Sequence, residues 1–234
     1  MAPESVAHDV LVALRELGGS ALDLLYPFEC LVCGGADGPA RLPALCRGCD
    51  LALPRRDPRR PPRIGAGPLA GHVVALELAP PASDLVYQLK YGGAVAAALP
   101  LSAALEAAVR ALGLEREIDA LVPVPVFWLK AWLRGVDHAG ALCTELARGL
   151  GLPERRLLAR CRPTVAQGQA RSPEERARQV RGAFAARSPR RVRGRSLALV
   201  DDVVTSGATA QECARVLIAA GARRVVLLAA AGNG

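Results

Sequence analysis

The chain has 234 residues, a formal net charge of +8, a hydrophobic fraction of 51% and an aromatic fraction of 3%. This length fits one packed α/β domain with a small additional module, and the scarcity of aromatic rings predicts a core of Ala, Leu and Val. No run of about 18 apolar residues occurs, which argues against a membrane span, and the basic balance is compatible with phosphorylated ligands, nucleic acid or an ordinary charged surface.

The first residues predict a cytoplasmic protein that begins with one or two short amphipathic helices. Glu4, His8 and Asp9 stand where a secretory signal needs a positive stretch followed by an apolar one. From Val6 to Leu25 apolar residues recur at helical spacing, interrupted by two glycines. We expect this segment to dock on the main domain, and self-association is the alternative.

Two Cys-x-x-Cys pairs, separated by twelve residues, predict a structural metal site. In a reducing compartment this spacing favours a metal over disulfides, and four thiolates suit a tetrahedral Zn²⁺ with no open position for substrate. An iron–sulfur cluster or free thiols are the alternatives. The expected ligands are Cys30, Cys33, Cys46 and Cys49. Buried, inert thiols are expected at Cys143, Cys161 and Cys213.

The segment from Pro54 to Pro68 predicts a linker, because its five prolines and five arginines disfavour a regular helix or a central strand. We place a domain boundary near residue 62. Residues 1–62 then hold the N-terminal helix, the zinc-binding module and the linker, and residues 63–234 form a second domain.

In that second domain, short β-like runs alternate with Ala/Leu-rich helical stretches, which is typical of a mostly parallel sheet covered by helices. The predicted strands are Val73–Leu78, Ala120–Val124, Ser196–Val200 and Arg224–Ala229. The predicted helices lie near Leu99–Leu112, Ala139–Leu150 and Thr209–Ala220. The charged stretch 171–187 predicts a mobile flap or a helix.

The most informative segment joins the third predicted strand to the last predicted helix. The apolar strand ends in Asp201 and Asp202, and a turn with hydroxyl groups and a glycine opens the helix. Backbone N–H groups at a helix N-terminus can bind a phosphate, and a glycine lets the ligand approach the backbone. A helix start without a ligand is the alternative, but the adjacent acidic pair favours the phosphate site. The turn consists of Thr205, Ser206, Gly207, Ala208 and Thr209.

This segment resembles the phosphoribosyl pyrophosphate (PRPP) signature of type I phosphoribosyltransferases, in which two acidic and two hydrophobic residues precede Thr-Thr/Ser-Gly-x-Thr. The resemblance implies a type I phosphoribosyltransferase-like α/β fold. It implies that Asp201 and Asp202 are catalytic, holding the ribose hydroxyls and supporting an oxocarbenium-like centre as pyrophosphate leaves. It also implies that residues 205–209 bind the 5′-phosphate, and that Mg²⁺ is chelated largely by the substrate, so no protein ligand is assigned to that ion.

Further segments resemble the ComF family, which is associated with bacterial DNA uptake, and this resemblance covers nearly the whole chain. The cysteine pairs, Val122–Pro125, Leu89–Tyr91 and the segment 162–176 follow the order of the family. At 136–138, Val, Asp and His stand where the family has Phe, Asn and Gln, and a Ser replaces a Thr at 206. By this resemblance Lys90 approaches the ligand pyrophosphate, and a solvated surface cation is the alternative.

Two functions remain open from the sequence. One is a ComF-like protein whose PRPP-binding domain acts in DNA uptake, with single-stranded DNA or a DNA-uptake helicase as partner. The other is a metabolic phosphoribosyltransferase that transfers ribosyl-5-phosphate to a nucleobase or amine, although no acceptor residues are recognisable. Arginines at 171–181 and the pair Trp128 and Trp132 offer a nucleic-acid surface, but tryptophans at helical spacing more often pack in a core. A transcriptional regulator ranks last, because no DNA-binding helix pair is recognisable.

Overall fold

The computed structural model describes residues 28–35, 44–126, 137–162 and 173–233. Its main sheet contains β1 (Gly71–Glu77), β2 (Ala120–Pro123), β5 (Ser196–Val204) and β6 (Arg224–Gly232). These strands are all parallel, in the spatial order β1-β6-β5-β2. A separate antiparallel pair is formed by β3 (Leu158–Arg160) and β4 (Phe184–Ala186). The carboxyl ends of the four parallel strands therefore lie at one edge of the sheet.

Helices cover both faces of this sheet. They are α1 (Arg47–Leu51), α2 (Ala82–Tyr91), α3 (Ala98–Ala111), α4 (His138–Leu150), α5 (Pro173–Val180), α6 (Pro189–Val192) and α7 (Ala208–Ala219). Short 3-10 turns occupy Val95–Ala97 and Leu114–Arg116. In α4, the side chain of Asp137 caps the first turn by accepting from the backbone N–H of Gly140 at 3.1 Å, and Gly151 ends the helix in the left-handed conformation.

Two hydrophobic clusters lie on opposite faces of the sheet. One joins leucines of α2, α3 and α4 to the alternate strand residues Ala198 and Val200. The other joins α7 and the β3–β4 pair to Leu197 and Leu199. Because β5 is covered on both faces, its first five residues are buried, as expected for a central parallel strand.

The α/β fold with a parallel sheet, predicted from the alternation of apolar runs, is confirmed, and all four predicted strands and three predicted helices are present with shifted ends. The prediction that the third strand stops at Val200 is wrong, because β5 continues to Val204 and the acidic pair lies within it. Two apolar residues, Val203 and Val204, still pack against the sheet and extend its pairing with β6. The structure also adds α2 and the β3–β4 pair, which had no predicted counterpart.

The cysteine-rich segment packs on the same face as α2 and α3. Cys30, Leu45, Cys46 and Leu53 belong to the hydrophobic cluster that contains leucines of those helices. The following proline-rich segment contains no helix or strand, as its composition predicts. The division into 1–62 and 63–234 stays a prediction.

Within the described part of the chain, no helix combines the length and the hydropathy that crossing a bilayer requires. The predicted N-terminal helices, Trp128 and Trp132 lie outside the described residues, as does Arg171.

Candidate phosphate and metal sites

The four predicted cysteine ligands come together at one point. Their sulfur atoms all lie within 4.8 Å of one another, and Cys33 Sγ is 3.7 Å from Cys46 Sγ. A tetrahedron with Zn–S bonds of about 2.3 Å has sulfur–sulfur edges of about 3.8 Å. The cluster therefore has the donor set and the size of a closed tetrahedral thiolate site.

Tight backbone turns aim the sulfurs inward. The N–H of Gly34 donates to the carbonyl of Cys30 at 2.9 Å, and the N–H of Cys49 donates to Cys46 Sγ at 3.4 Å. The two turns are joined where the N–H of Leu31 donates to the carbonyl of Ala44 at 3.1 Å. This geometry requires both cysteine pairs, since each turn supplies half of the sulfur atoms.

The acidic pair lies near the carboxyl end of β5, and the two side chains occupy opposite faces of the sheet. Alternation along the strand puts Asp202 with Val200, on the side of α2 and α4, and Asp201 with Leu199, on the side of α7. The backbone N–H of Asp202 donates to Asp201 Oδ1 at 3.0 Å. Two carboxylates at the same depth in the sheet thus have different surroundings.

Asp202 is almost fully buried and faces two nitrogen-bearing side chains. Lys90 Nζ, from the last turn of α2, lies 3.2 Å from Asp202 Oδ1. His138 Nε2, from the first residue of α4, lies 3.8 Å from Asp202 Oδ2. The Asp202 side chain is 4% exposed and that of Lys90 is 22% exposed. The lysine therefore supplies the charge that compensates a buried carboxylate, and it keeps a path to solvent.

The side chain of Asp201 keeps some contact with solvent, but many protein atoms surround its carboxyl group. Burial raises the pKa of Asp201 to about 8, the negative charge of Asp202 adds to this rise, and the charge of Lys90 opposes it. On the same face, burial raises the pKa of the Cys213 thiol, and the charge of Asp201 adds to the effect. A carboxyl group with a raised pKa next to a second acidic side chain is an arrangement typical of functional sites.

The turn after β5 presents backbone donors at the N-terminus of α7. Gly207 adopts φ of 74° and is the residue before the helix, with no side-chain cap. The backbone N–H groups of Ser206, Gly207 and Ala208 donate to no backbone carbonyl among the described residues. These N–H groups lie at the positive end of a twelve-residue helix, and such groups are the donors that a phosphate needs.

A segment of the predicted linker lies directly over this turn. The N–H of Gly65 donates to the carbonyl of Ser206 at 3.2 Å, and the side chain of Ile64 contacts Gly207 so closely that a Cβ at 207 would lie 3.0 Å from Ile64 Cβ. From α7, Gln211 holds the segment through hydrogen bonds to Gly65 O and Leu69 N. Sequence reasoning missed Gln211 and His138 as neighbours of the site, and His138 was noticed only as a departure from the family pattern.

A cleft of about 130 Å³ opens at the carboxyl end of β2, the strand next to β5. Its lining residues are Pro123, Val124, Pro125, Val126, Asp137, Arg156, Leu158 and Arg187. Arg156 is held there by Asp137, with Arg156 Nη1 2.7 Å from Asp137 Oδ2. The cleft combines an apolar wall with two guanidinium groups at the edge of the sheet that also carries the acidic pair.

The remaining cysteines divide into two groups. Cys143 and Cys213 are buried, as predicted, but the expectation that Cys161 is buried is wrong. Cys161 directly follows the three-residue strand β3, and its side chain is exposed.

Comparison with known proteins finds related sequences, and no protein-family model matches the chain. It is 36% identical over 158 residues to the DNA utilization protein YhgH of Escherichia coli strain K12, covering 65% of this chain and 68% of that protein. It is 34% identical over 101 residues to competence protein F of Haemophilus influenzae, covering 42% of this chain and 44% of that protein. Among solved structures, the glutamine PRPP amidotransferase of B. subtilis complexed with ADP and GMP matches at 23% identity with a TM-score of 0.34, over 49% of this chain and 22% of that chain.

Proposed function

Because the chain belongs to the ComF family, we propose that it acts in the cytoplasmic steps of DNA uptake and that it binds PRPP at the carboxyl end of β5. Its similarity to a DNA utilization protein and to a competence protein supports the first half of the proposal. The observation that carries the second half is the acidic pair near the carboxyl end of β5, followed by a turn whose backbone N–H groups lie at the start of α7.

Each part of the site suits a different part of PRPP. The backbone N–H groups around Gly207, with the hydroxyls of Thr205 and Ser206, suit the 5′-phosphate, because they donate without bringing a competing negative charge. Asp201 and Asp202 suit the ribose hydroxyls, which are hydrogen-bond donors to carboxylates. In the proposed complex, Mg²⁺ enters with the pyrophosphate and partly neutralises it, and no described residue is assigned as its ligand.

Lys90 has a role both without and with the ligand in this proposal. In the absence of ligand its ammonium group pairs with Asp202 at 3.2 Å, and its exposed fraction of 22% leaves room for a second anionic partner. We expect the pyrophosphate of PRPP to share this cation with Asp202, because an ammonium group donates up to three hydrogen bonds. Binding then keeps the buried carboxylate compensated while it anchors the leaving group.

We further propose that the four-cysteine cluster binds a structural Zn²⁺, because its sulfur spacing fits that ion and leaves no position open. When bound, Zn²⁺ supplies a cross-link between the two cysteine turns and no reaction step. Since Cys30 and Cys46 are part of the core beside α2, the cluster would also hold the helix that carries Lys90.

A metabolic phosphoribosyltransferase is the second candidate, and the cleft at the end of β2 is the observation that favours it. In such a reaction the bond from ribose C1 to the pyrophosphate oxygen breaks, a bond from C1 to an acceptor nitrogen forms, and that nitrogen loses a proton. The apolar wall and the guanidinium groups of Arg156 and Arg187 suit a planar acceptor with carbonyl oxygens. Release of pyrophosphate with one acceptor from a panel of nucleobases and amines would establish this activity.

Calorimetric titration with Mg²⁺-PRPP tests the binding site. We expect saturable binding to the wild-type protein, loss of binding in Asp201→Asn/Asp202→Asn, and wild-type binding in Asp84→Asn, which removes an exposed carboxylate from α2. Absence of binding to the folded, metal-loaded wild type would refute the PRPP site. The role in DNA uptake is tested separately, by restoring transformation in a competent host from which its own family member is deleted.

A further inference from the structure

A row of arginines lies at the opposite edge of the sheet, where the strands begin. The short helix α6 and its connection to β5 carry four of them, and the connection from α7 to β6 carries the fifth. All five are exposed: Arg190, Arg191, Arg193, Arg195 and Arg223. We call this set the arginine edge.

Backbone hydrogen bonds join the two connections into one surface. The N–H of Gly194 donates to the carbonyl of Gly221 at 2.8 Å, and the N–H of Arg223 donates to the carbonyl of Arg195 at 2.9 Å. The guanidinium of Arg223 is oriented by Ser196 Oγ, which accepts from its Nη2 at 2.9 Å. The arginine edge is thus fixed to the central strands β5 and β6 rather than carried on independent loops.

The arginine edge has no carboxylate partner among the described residues. The acidic side chains at this edge are already engaged, since Glu117 pairs with Arg224 and Asp119 Oδ2 accepts from the backbone N–H of Ser196 at 2.7 Å. The carboxyl end of α7 also points here, but a helix end carries only about half an elementary charge. Five guanidinium groups therefore exceed the local negative charge by a wide margin.

We propose that the arginine edge binds the phosphate backbone of a nucleic acid, an inference that rests on the DNA-handling half of the proposed function. Several adjacent guanidinium groups match a row of phosphates, because each presents a planar fork of donors to a phosphate group. A membrane surface fits less well, since α6 has four residues and its one aliphatic side chain, Val192, is fully buried. Backbone contacts of this kind recognise charge and not base sequence.

The arginine edge and the candidate PRPP site can be occupied together. They lie at opposite ends of β5, whose nine residues span roughly 26 Å at about 3.3 Å per residue. A nucleic acid on the arginine edge therefore leaves the turn at 205–209 open. We expect PRPP and nucleic acid to bind without competition.

Salt-dependent binding of a fluorescent single-stranded oligonucleotide of mixed sequence tests the proposal. The edge variant carries Arg190→Gln, Arg191→Gln, Arg193→Gln and Arg195→Gln. The control removes four exposed arginines outside both the arginine edge and the segment 171–181, with the same change in net charge, through Arg55→Gln, Arg59→Gln, Arg60→Gln and Arg148→Gln. A third variant replaces the same four edge residues by Lys, which keeps the charge and checks that the effect is electrostatic.

Each phosphate contact contributes about 0.7 to the slope of log affinity against log salt for single strands, so loss of four contacts lowers the slope by about 3. At moderate salt this corresponds to a loss of affinity on the order of 100-fold. We expect this loss in the edge variant only, with most of the affinity kept in the Lys variant. Equal losses in the edge and control variants, or an unchanged slope in the edge variant, would overturn the proposal.

Two further measurements separate the proposal from its alternatives. Binding of the wild type to phosphatidylserine vesicles without binding to the oligonucleotide would overturn it in favour of a membrane surface. Titration of the edge variant with Mg²⁺-PRPP separates it from the PRPP site, since we expect unchanged PRPP binding there. Loss of oligonucleotide binding in the edge variant, with PRPP binding retained, supports the proposal for the arginine edge. A wild type that binds PRPP but no oligonucleotide refutes this proposal and leaves the PRPP site standing.

Discussion

Replacing Asp201 by Asn should change how the stability of the protein depends on pH. The folded state raises the pKa of Asp201 to about 8, mainly by burial, whereas an unfolded chain has the ordinary value of about 3.9. Between these values the folded protein holds a proton that the unfolded chain releases. The free energy of unfolding therefore falls as pH rises through this window, and the contribution of this side chain is least favourable at and above pH 8.

The size of this effect follows from the shift. One pKa unit corresponds to about 1.4 kcal/mol, so the full shift sets an upper limit of about 6 kcal/mol at pH 8. Because Asp201 is half-buried and water relaxes around it, we expect a loss of about 2 to 4 kcal/mol between pH 4 and pH 8. Asn keeps the carbonyl oxygen that accepts from the backbone N–H of Asp202, so the substitution removes the charge and little else.

Urea unfolding of the wild type and of Asp201→Asn at several pH values between 5 and 8 measures the effect. We expect the variant to be more stable than the wild type at pH 8, with a difference that shrinks towards pH 5. Any metal that unfolding releases from the cysteine cluster contributes equally to both proteins and cancels in the difference. A difference that stays constant with pH, or that grows towards acid pH, would show that burial of Asp201 does not raise its pKa.

Three further predictions concern the neighbouring features. Lys90→Met leaves the buried Asp202 carboxylate without its cation and should lower the free energy of unfolding by about 2 kcal/mol in urea titrations, and adding Asp202→Asn should recover most of that loss. Cys33→Ser should reduce bound metal in elemental analysis and lower the melting temperature. Cys161→Ser, at the exposed cysteine after β3, should change neither. Gly207→Val should destabilise the protein in thermal melts and weaken PRPP binding in calorimetry, because Gly207 has a φ of 74° and Ile64 lies close to it. Gly113→Val is the matched control for backbone strain alone, because Gly113 has a φ of 67° and open space around it.

The sequence predicted the parallel sheet because its strands are continuous apolar runs. A strand covered on both faces must be apolar throughout, and β5 and β6 show this pattern over most of their length. It did not predict that β5 continues past the acidic pair, since two charged residues normally mark the end of a buried run. The continuation is possible because Asp202 is compensated by Lys90 from a helix that is distant in sequence.

Local motifs predicted the four-cysteine cluster and the candidate phosphate turn, but not the side chains that surround the candidate site. The cysteine turns and the Gly207 turn are each set by a few adjacent residues, so spacing alone identifies them. His138 and Gln211 reach the site through the packing of α4 and α7, and neither has a distinctive sequence context. The antiparallel pair of β3 and β4 was missed because each strand has only three residues, too few for a periodic pattern.

The contact between Ile64 and the Gly207 turn ties the proline-rich segment to the candidate PRPP site. This segment connects the cysteine cluster to β1, and its hydrogen bonds to Ser206 and Gln211 place it over the backbone donors that a phosphate would use. Because its prolines limit the conformations open to the chain, the segment holds that position at a small entropic cost. A phosphate bound at this turn must therefore enter beside Gly65 or displace it, and either route couples occupancy of the turn to the segment that leads to the cysteine cluster.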